Sequence, residues 1–153
     1  VVKLPATNPS RFLVVLDTQA DPLAANHLST HLPQLPAHYW SLADLRDGIV
    51  HLKPEQSEIY TPQLLNYDTN GVIDFKKGCY TGQEVVARMH YRAEAKRRLY
   101  YVQATTQDEF LGLTDALSAE DIVMKQTLEN GAIESLMVLA VAQAESLPGV
   151  KNL

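Results

Sequence analysis

Sulfur chemistry is scarce in this chain, whose 153 residues hold one cysteine, Cys79, and three methionines. One thiol excludes an internal disulfide, and it excludes a zinc or iron–sulfur site built from several cysteines of one copy. No metal site is expected. Long hydrophobic runs are absent too, the apolar stretches falling well short of the ~18 residues that a membrane span needs. The start, Val1-Val2-Lys3-Leu4-Pro5, has neither the charged lead nor the apolar core of a signal peptide. It also lacks methionine, which suits a fragment or processed chain. A reducing cytoplasm and no membrane are the expectations. Aromatic residues are few, with Trp40 the single tryptophan, and there is no internal repeat. What remains, 46% hydrophobic and 20% charged, is ordinary for a globular protein.

Net charge is −5, but it is spread unevenly. Residues 76 to 98 hold Lys76, Lys77, Arg88, Arg92, Lys96, Arg97 and Arg98 against Glu84 and Glu94, a local balance of +5. The remainder carries 6 positive and 16 negative charges, a balance of −10. Positive charge gathered around the one thiol invites an anionic ligand, while a solvated helix face is the plainer reading. Aromatics do not interleave with the bases, so sequence-specific RNA binding is not indicated.

Taken in order, Phe12 to Leu16 reads as a short buried strand. Asp21-Pro22 starts a helix, with Asp as N-cap and Pro at the first position, and Pro33 and Pro36 end it. Tyr39 to Leu42 reads as a second strand, completing a β-α-β unit, and Asp44 to Gly48 as a tight turn closed by glycine. After a polar loop from His51 to Gln63, Asn70-Gly71 is a turn feeding a short strand, Val72 to Phe75. Leu99 to Ala104 is strand-like, and Thr105 to Glu109 is a polar loop and domain boundary. Ile122 to Met124 and Met137 to Ala142 are further strands, with Glu129-Asn130-Gly131 a hairpin turn. The expected class is α+β.

The stretch Lys76-Lys77-Gly78-Cys79-Tyr80-Thr81-Gly82-Gln83-Glu84 organises the chain. Thr81 and Glu84 fit a capping box that opens a helix. Val85, Val86, Met89 and Ala93 fall on one side of the wheel, with Glu84, Arg88 and Tyr91 on the other. Cys79 therefore precedes a helix N-terminus and follows two ammonium groups, and both features favour a thiolate. Gly78 and Gly82 read as backbone devices beside it. A lone cysteine is often an inert buried hydrophobe, a reading that the local charge weighs against. A papain-type hydrolase would need a histidine at the thiol, and the wheel does not turn His90 toward Cys79.

That stretch, K-G-C-Y-T-G-Q-E, resembles the signature of the YgfZ family, folate-binding relatives of the glycine-cleavage aminomethyltransferase, or T-protein. The resemblance covers roughly residues 10 to 105. It runs through Trp40, Arg46-Asp47-Gly48-Ile49 and Pro62-Gln63-Leu64-Leu65-Asn66, and on to Arg88 and Arg92. It implies the ferredoxin-like part of a folate-binding, aminomethyltransferase-like domain over residues 1–104. A small antiparallel β-barrel, expected to be incomplete, would occupy residues 105–153. Ile133 to Met137 lacks the glycine expected in a tight barrel turn.

The resemblance also implies roles. Cys79 would be the reactive thiol. Trp40 would belong to the folate site, where a flat indole can stack on a pterin, although a lone tryptophan is more simply a core or interface aromatic. Arg46 would pair with a carboxylate of the folate tail. Lys77, Gly78, Tyr80, Gly82, Gln83, Glu84, Arg88 and Arg92 would support the signature, its arginines and Lys96-Arg97-Arg98 offering charge to phosphates or a polyglutamate tail. The implied function is a monomeric, cytoplasmic, tetrahydrofolate-binding accessory protein for iron–sulfur cluster assembly or repair, and through it for tRNA modification. Iron–sulfur proteins or tRNA-modifying enzymes would be its partners. Two other readings stay open: a non-catalytic module docking an anionic partner through its basic helix, and an aminomethyltransferase-like one-carbon transferase. No reaction of the thiol is deducible from the residues.

Overall fold

A computed structural model describes residues 1–4, 10–92 and 95–153, with Arg92 described by its backbone alone. The chain divides into two compact units, Val1–Asp47 and Gly48–Leu153.

In the first unit, β1 (Val2–Lys3) and β2 (Phe12–Leu13) pair antiparallel. The Phe12–Leu16 run, expected to be buried, is exposed, with Val15 at 77%. A ribbon of two short strands gives its side chains little cover. Helix α1 (Pro22–His31) starts as its sequence demands: Ala24 N–H donates to Asp21 Oδ1 at 3.0 Å, and Pro22 takes the first position. It stops two residues before Pro33.

Helix α2 (Ala37–Arg46) stands where a strand was expected at Tyr39–Leu42, and the β-α-β unit goes with it. Leu42 and Leu45 explain the difference. Both are buried, and three residues apart they share a helix face, whereas a strand would point them to opposite sides. Pro36, at φ −55°, sets the entry. Buried Asp44 accepts from Arg11 Nη1 at 2.6 Å, and Asp47 from Arg11 Nη2 at 2.7 Å. Burial alone would lower the Arg11 pKa, but the two carboxylates outweigh it and raise the guanidinium above its ordinary value. Gly48 follows at φ +69°, the closing glycine that the sequence called for.

The second unit is built on one antiparallel sheet in the order β4-β5-β3-β6. Its strands are β3 (Arg97–Ala104), β4 (Ile122–Thr127), β5 (Ile133–Ala140) and β6 (Val150–Asn152). Strand β5 is buried from Ile133 to Leu139 and pairs with β3 along its whole length, Arg97 opposite Ala140 through Ala104 opposite Ile133. The β4–β5 hairpin closes at Gly131, φ +84°, where Leu128 N–H donates to Ala132 O at 2.7 Å. Tyr100, Val102, Phe110, Ile133, Met137 and Leu139 form the core on this sheet.

The sheet is open, and no closed barrel exists among the described residues. Strand β5 is continuous through Ile133–Met137, where a barrel would turn. The loop expected at Thr105–Glu109 is the start of helix α4 (Gln107–Thr114). Glu109 N–H donates to Thr106 Oγ1 at 3.2 Å, and Thr105 N–H donates to Glu109 Oε2 at 2.6 Å, so the polar cluster is a reciprocal cap. Strands on both sides of residue 104 thus share one sheet. Val72–Phe75 is not a strand: Gly71 at φ +81° turns the chain, and Ile73 N–H donates back to Tyr67 O at 3.0 Å. Val141–Ala144 turns into a short helix, α5, instead of extending β5. Helices and sheets are mixed, the α+β class, and no helix among the described residues is long and apolar enough to cross a membrane.

Candidate functional site

The signature stretch leads into helix α3 (Gln83–Arg92). Lys76 to Tyr80 are all exposed, Cys79 among them, and its thiol is free. The helix does not start at the expected box. Gly82 adopts φ +84° directly before Gln83, which leaves Thr81 two positions outside. The reciprocal bond passes to Gln83, whose Oε1 accepts Tyr80 N–H at 3.2 Å. Of the two glycines, Gly82 is therefore the one whose conformation the turn needs. A side chain at Gly78 would meet open space. Lys77 Nζ lies 5.0 Å from the Tyr80 ring centroid, so the cation is held on the same short stretch as the thiol. Glu84 occupies the first turn, where a carboxylate suits the helix dipole, and Arg88 is exposed along the helix. The side chain of Arg92 lies outside the described residues. Val86, Ala87 and Met89 are half-buried, whereas Val85, expected inside, is 61% exposed.

Three residues without an assigned role bracket this helix against the sheet. Gln63, 2% exposed, donates from Nε2 to Val86 O at 2.7 Å. Asn66 donates to Leu99 O at 2.8 Å and accepts Leu99 N–H at 3.3 Å, at the start of β3. Asp68 takes Arg98 through both carboxylate oxygens, and its Oδ2 lies 3.9 Å from His90 Nδ1. His90 also stacks on Phe75 at 3.9 Å between centroids, so its ring is engaged at the base of the thiol stretch. The Pro62-Gln63-Leu64-Leu65-Asn66 segment carried the signal for two of the three. Their partners, however, lie 23 and 33 residues away.

The basic segment is less free than its charge count implied. Arg98 is committed to Asp68 and Arg97 to Asp121, both through short ion pairs. Burial pushes the Asp121 carboxyl up, and hydrogen bonds from Ser118 and Arg97 outweigh it, holding the pKa below its ordinary value. A docking surface built on these arginines loses two of its charges.

In the first unit, Trp40 and Arg46 both belong to α2. Six residues apart on a helix, they are about 240° apart around the axis and do not share a face. Arg11 Cζ lies 5.0 Å from the Trp40 ring centroid, covering one face of the indole, while 44% of the residue stays exposed. Arg46 is exposed in the last helical turn. No group of three or more His, Cys, Asp or Glu residues able to hold a metal exists among the described residues. What the arrangement offers chemically is an accessible nucleophile on a stretch anchored from both sides.

No family model matches the chain. Individual relatives do. A tRNA-modifying protein YgfZ of Colwellia psychrerythraea is 35% identical over 99 residues, 65% of this chain and 28% of the relative. A protein of the same description from Vibrio atlanticus is 34% identical over 113 residues, 74% of this chain and 35% of the relative. An uncharacterized protein of Haemophilus influenzae is 30% identical over 126 residues, 71% of this chain and 45% of the relative. The chain thus spans less than half the length of these relatives.

Proposed function

We propose, on the premise that the chain is a partial member of the YgfZ family, that it serves tRNA modification as a tetrahydrofolate-binding accessory protein with Cys79 as its reactive thiol. Through that role it supports iron–sulfur cluster assembly or repair. The observation that carries this reading is the exposed thiol on the signature stretch, with Lys77 beside it and helix α3 following. An accessible cysteine suits transfer to or from a partner better than chemistry in a sealed pocket. Trp40 is partly exposed, and a pterin stacked on its open side would extend the Arg11–indole pair.

Supplying the chain, and its Cys79→Ala form, to cells that lack their own family member tests the first half. Modified tRNA nucleosides are then measured by mass spectrometry, with the activity of an iron–sulfur enzyme followed alongside. Restoration by the unchanged chain and failure of Cys79→Ala are expected; equal restoration by both would remove the thiol from the function. Tetrahydrofolate titrated against Trp40 fluorescence tests the second half. Saturable quenching is expected, and an unchanged signal with no binding by calorimetry would reject the folate site.

A further inference from the structure

Tyr91 is 71% exposed, yet its ring is held by two others. It meets Phe75 edge-on at 6.0 Å between centroids and His90 at 4.8 Å, while Phe75 lies flat on His90 at 3.9 Å. Phe75 precedes the signature stretch, and the other two rings stand at the end of α3, so folding gathers aromatics that the sequence keeps apart. Packing against two rings positions the tyrosine, and most of its surface stays open to a flat ligand.

Cations border this cluster on both of its chain segments. Lys76 and Lys77 follow Phe75 directly and are exposed. Arg88, also exposed, stands three residues before Tyr91 on α3, so the two are neighbours on one helix face. None of the three cations has a carboxylate within ion-pair distance among the described residues. Lys77 also brings in the Tyr80 ring, which is 39% exposed, through their 5.0 Å contact. Two acids lie close by in sequence: Asp74, whose Oδ1 accepts Lys76 N–H at 2.8 Å, and Glu84 in the first turn of α3. Open rings alternating with unpaired cations match a single-stranded nucleic acid, whose bases stack on aromatic faces while its phosphates meet the cations. A purely anionic chain such as polyglutamate would use the charges and leave the rings idle.

We propose that this surface binds an unpaired stretch of RNA, with a base stacked on Tyr91 and phosphates held by Lys76, Lys77 and Arg88. The choice of RNA over single-stranded DNA rests on the tRNA-modification reading. The test is fluorescence anisotropy of the full chain with a labelled oligouridylate, an RNA duplex of the same length, and polyglutamate. The single strand should bind at least about fivefold more tightly than either, the worth of one stacked base. Tyr91→Ala should lose about fivefold or more, and Tyr91→Phe, which keeps the ring, should bind like the parent. Three phosphate contacts give a log–log salt slope of about −2, which a Lys76→Gln, Lys77→Gln, Arg88→Gln variant should flatten. All four side chains are exposed, so these variants should keep the parent circular dichroism. Equal binding of duplex or polyglutamate, or an unaffected Tyr91→Ala, would overturn the proposal, and an unchanged slope would overturn its phosphate half. A chain that restores tRNA modification in cells but binds no single strand would sink this proposal alone. One that binds RNA and restores nothing would sink the functional reading instead.

Discussion

Asn66 is the residue whose replacement says most about how the second unit is held. It is buried, adopts φ +59°, and uses both ends of its amide on the backbone of Leu99, itself buried. Strand β6 pairs with Tyr100, Tyr101 and Val102, so Asn66 serves the residue just before that pairing begins. Asn66→Ala removes both bonds and leaves a buried donor and a buried acceptor unmet, at about 1–3 kcal/mol each. Alanine in the left-handed region adds about 1 kcal/mol more. The expected total is about 3–7 kcal/mol, a large share of a domain's stability. Asn66→Gly loses the same two bonds without the backbone strain, and should be the milder change by about 1 kcal/mol. Urea unfolding followed by far-UV circular dichroism measures the totals, and hydrogen exchange at the Leu99 amide reads the local effect. Leu99 should lose protection in both variants. An Asn66→Ala protein within about 0.5 kcal/mol of the parent, or Leu99 protection unchanged, would refute the clamp.

Three further outcomes follow from the geometry. Gly149 stands at φ +71° with its would-be Cβ 2.4 Å from Gln103 O, a backbone atom that cannot step aside; Gly149→Ala should destabilise by at least about 2 kcal/mol, seen as a lower thermal midpoint. Cys79 should be alkylated by iodoacetamide in the folded protein without denaturant, since it is exposed, and protection lifted only by denaturant would contradict that exposure. Asp121, held below its ordinary pKa, adds stability that is full above the usual carboxylate range and fades as pH falls through the lower folded value. Acid titration of Asp121→Asn should therefore show a shallower loss of stability below about pH 4 than the parent shows.

What could be read from sequence was whatever neighbours decide. Asp21-Pro22 fixes the start of α1, and Asn130-Gly131 fixes the hairpin, because caps and turns are settled within four residues. Around α2 the local signal and the fold disagree: Tyr39-Trp40 favours a strand locally, while the burial of Leu42 and Leu45 on one helix face depends on tertiary contact. Thr105–Glu109 looked like a loop for the reason that makes it a good cap: short polar side chains serve both. At the site, the exposure of Cys79 agreed with its glycine-rich setting. The engagement of Arg97, Arg98 and His90 could not be foreseen, since their partners are set by the β3 register and by the turn at 63–68.

The order of strands in the sheet has a consequence for how the chain is made. Strand β3 lies between β5 and β6, both of which come later in the sequence. During synthesis its row from Leu99 to Val102 emerges with no strand to pair with until β5 is complete at Ala140, which is 36 residues beyond Ala104. At roughly 5–20 residues per second that interval lasts a few seconds, and an apolar strand unpaired for so long is exposed to aggregation. Asn66 is already in place by then and can hold Leu99, so the clamp doubles as an early anchor for a strand awaiting its neighbours. Chains halted on the ribosome at residue 130 should accordingly aggregate on release more when Asn66 is alanine. Equal solubility of the two would show that the anchor forms only after the sheet does.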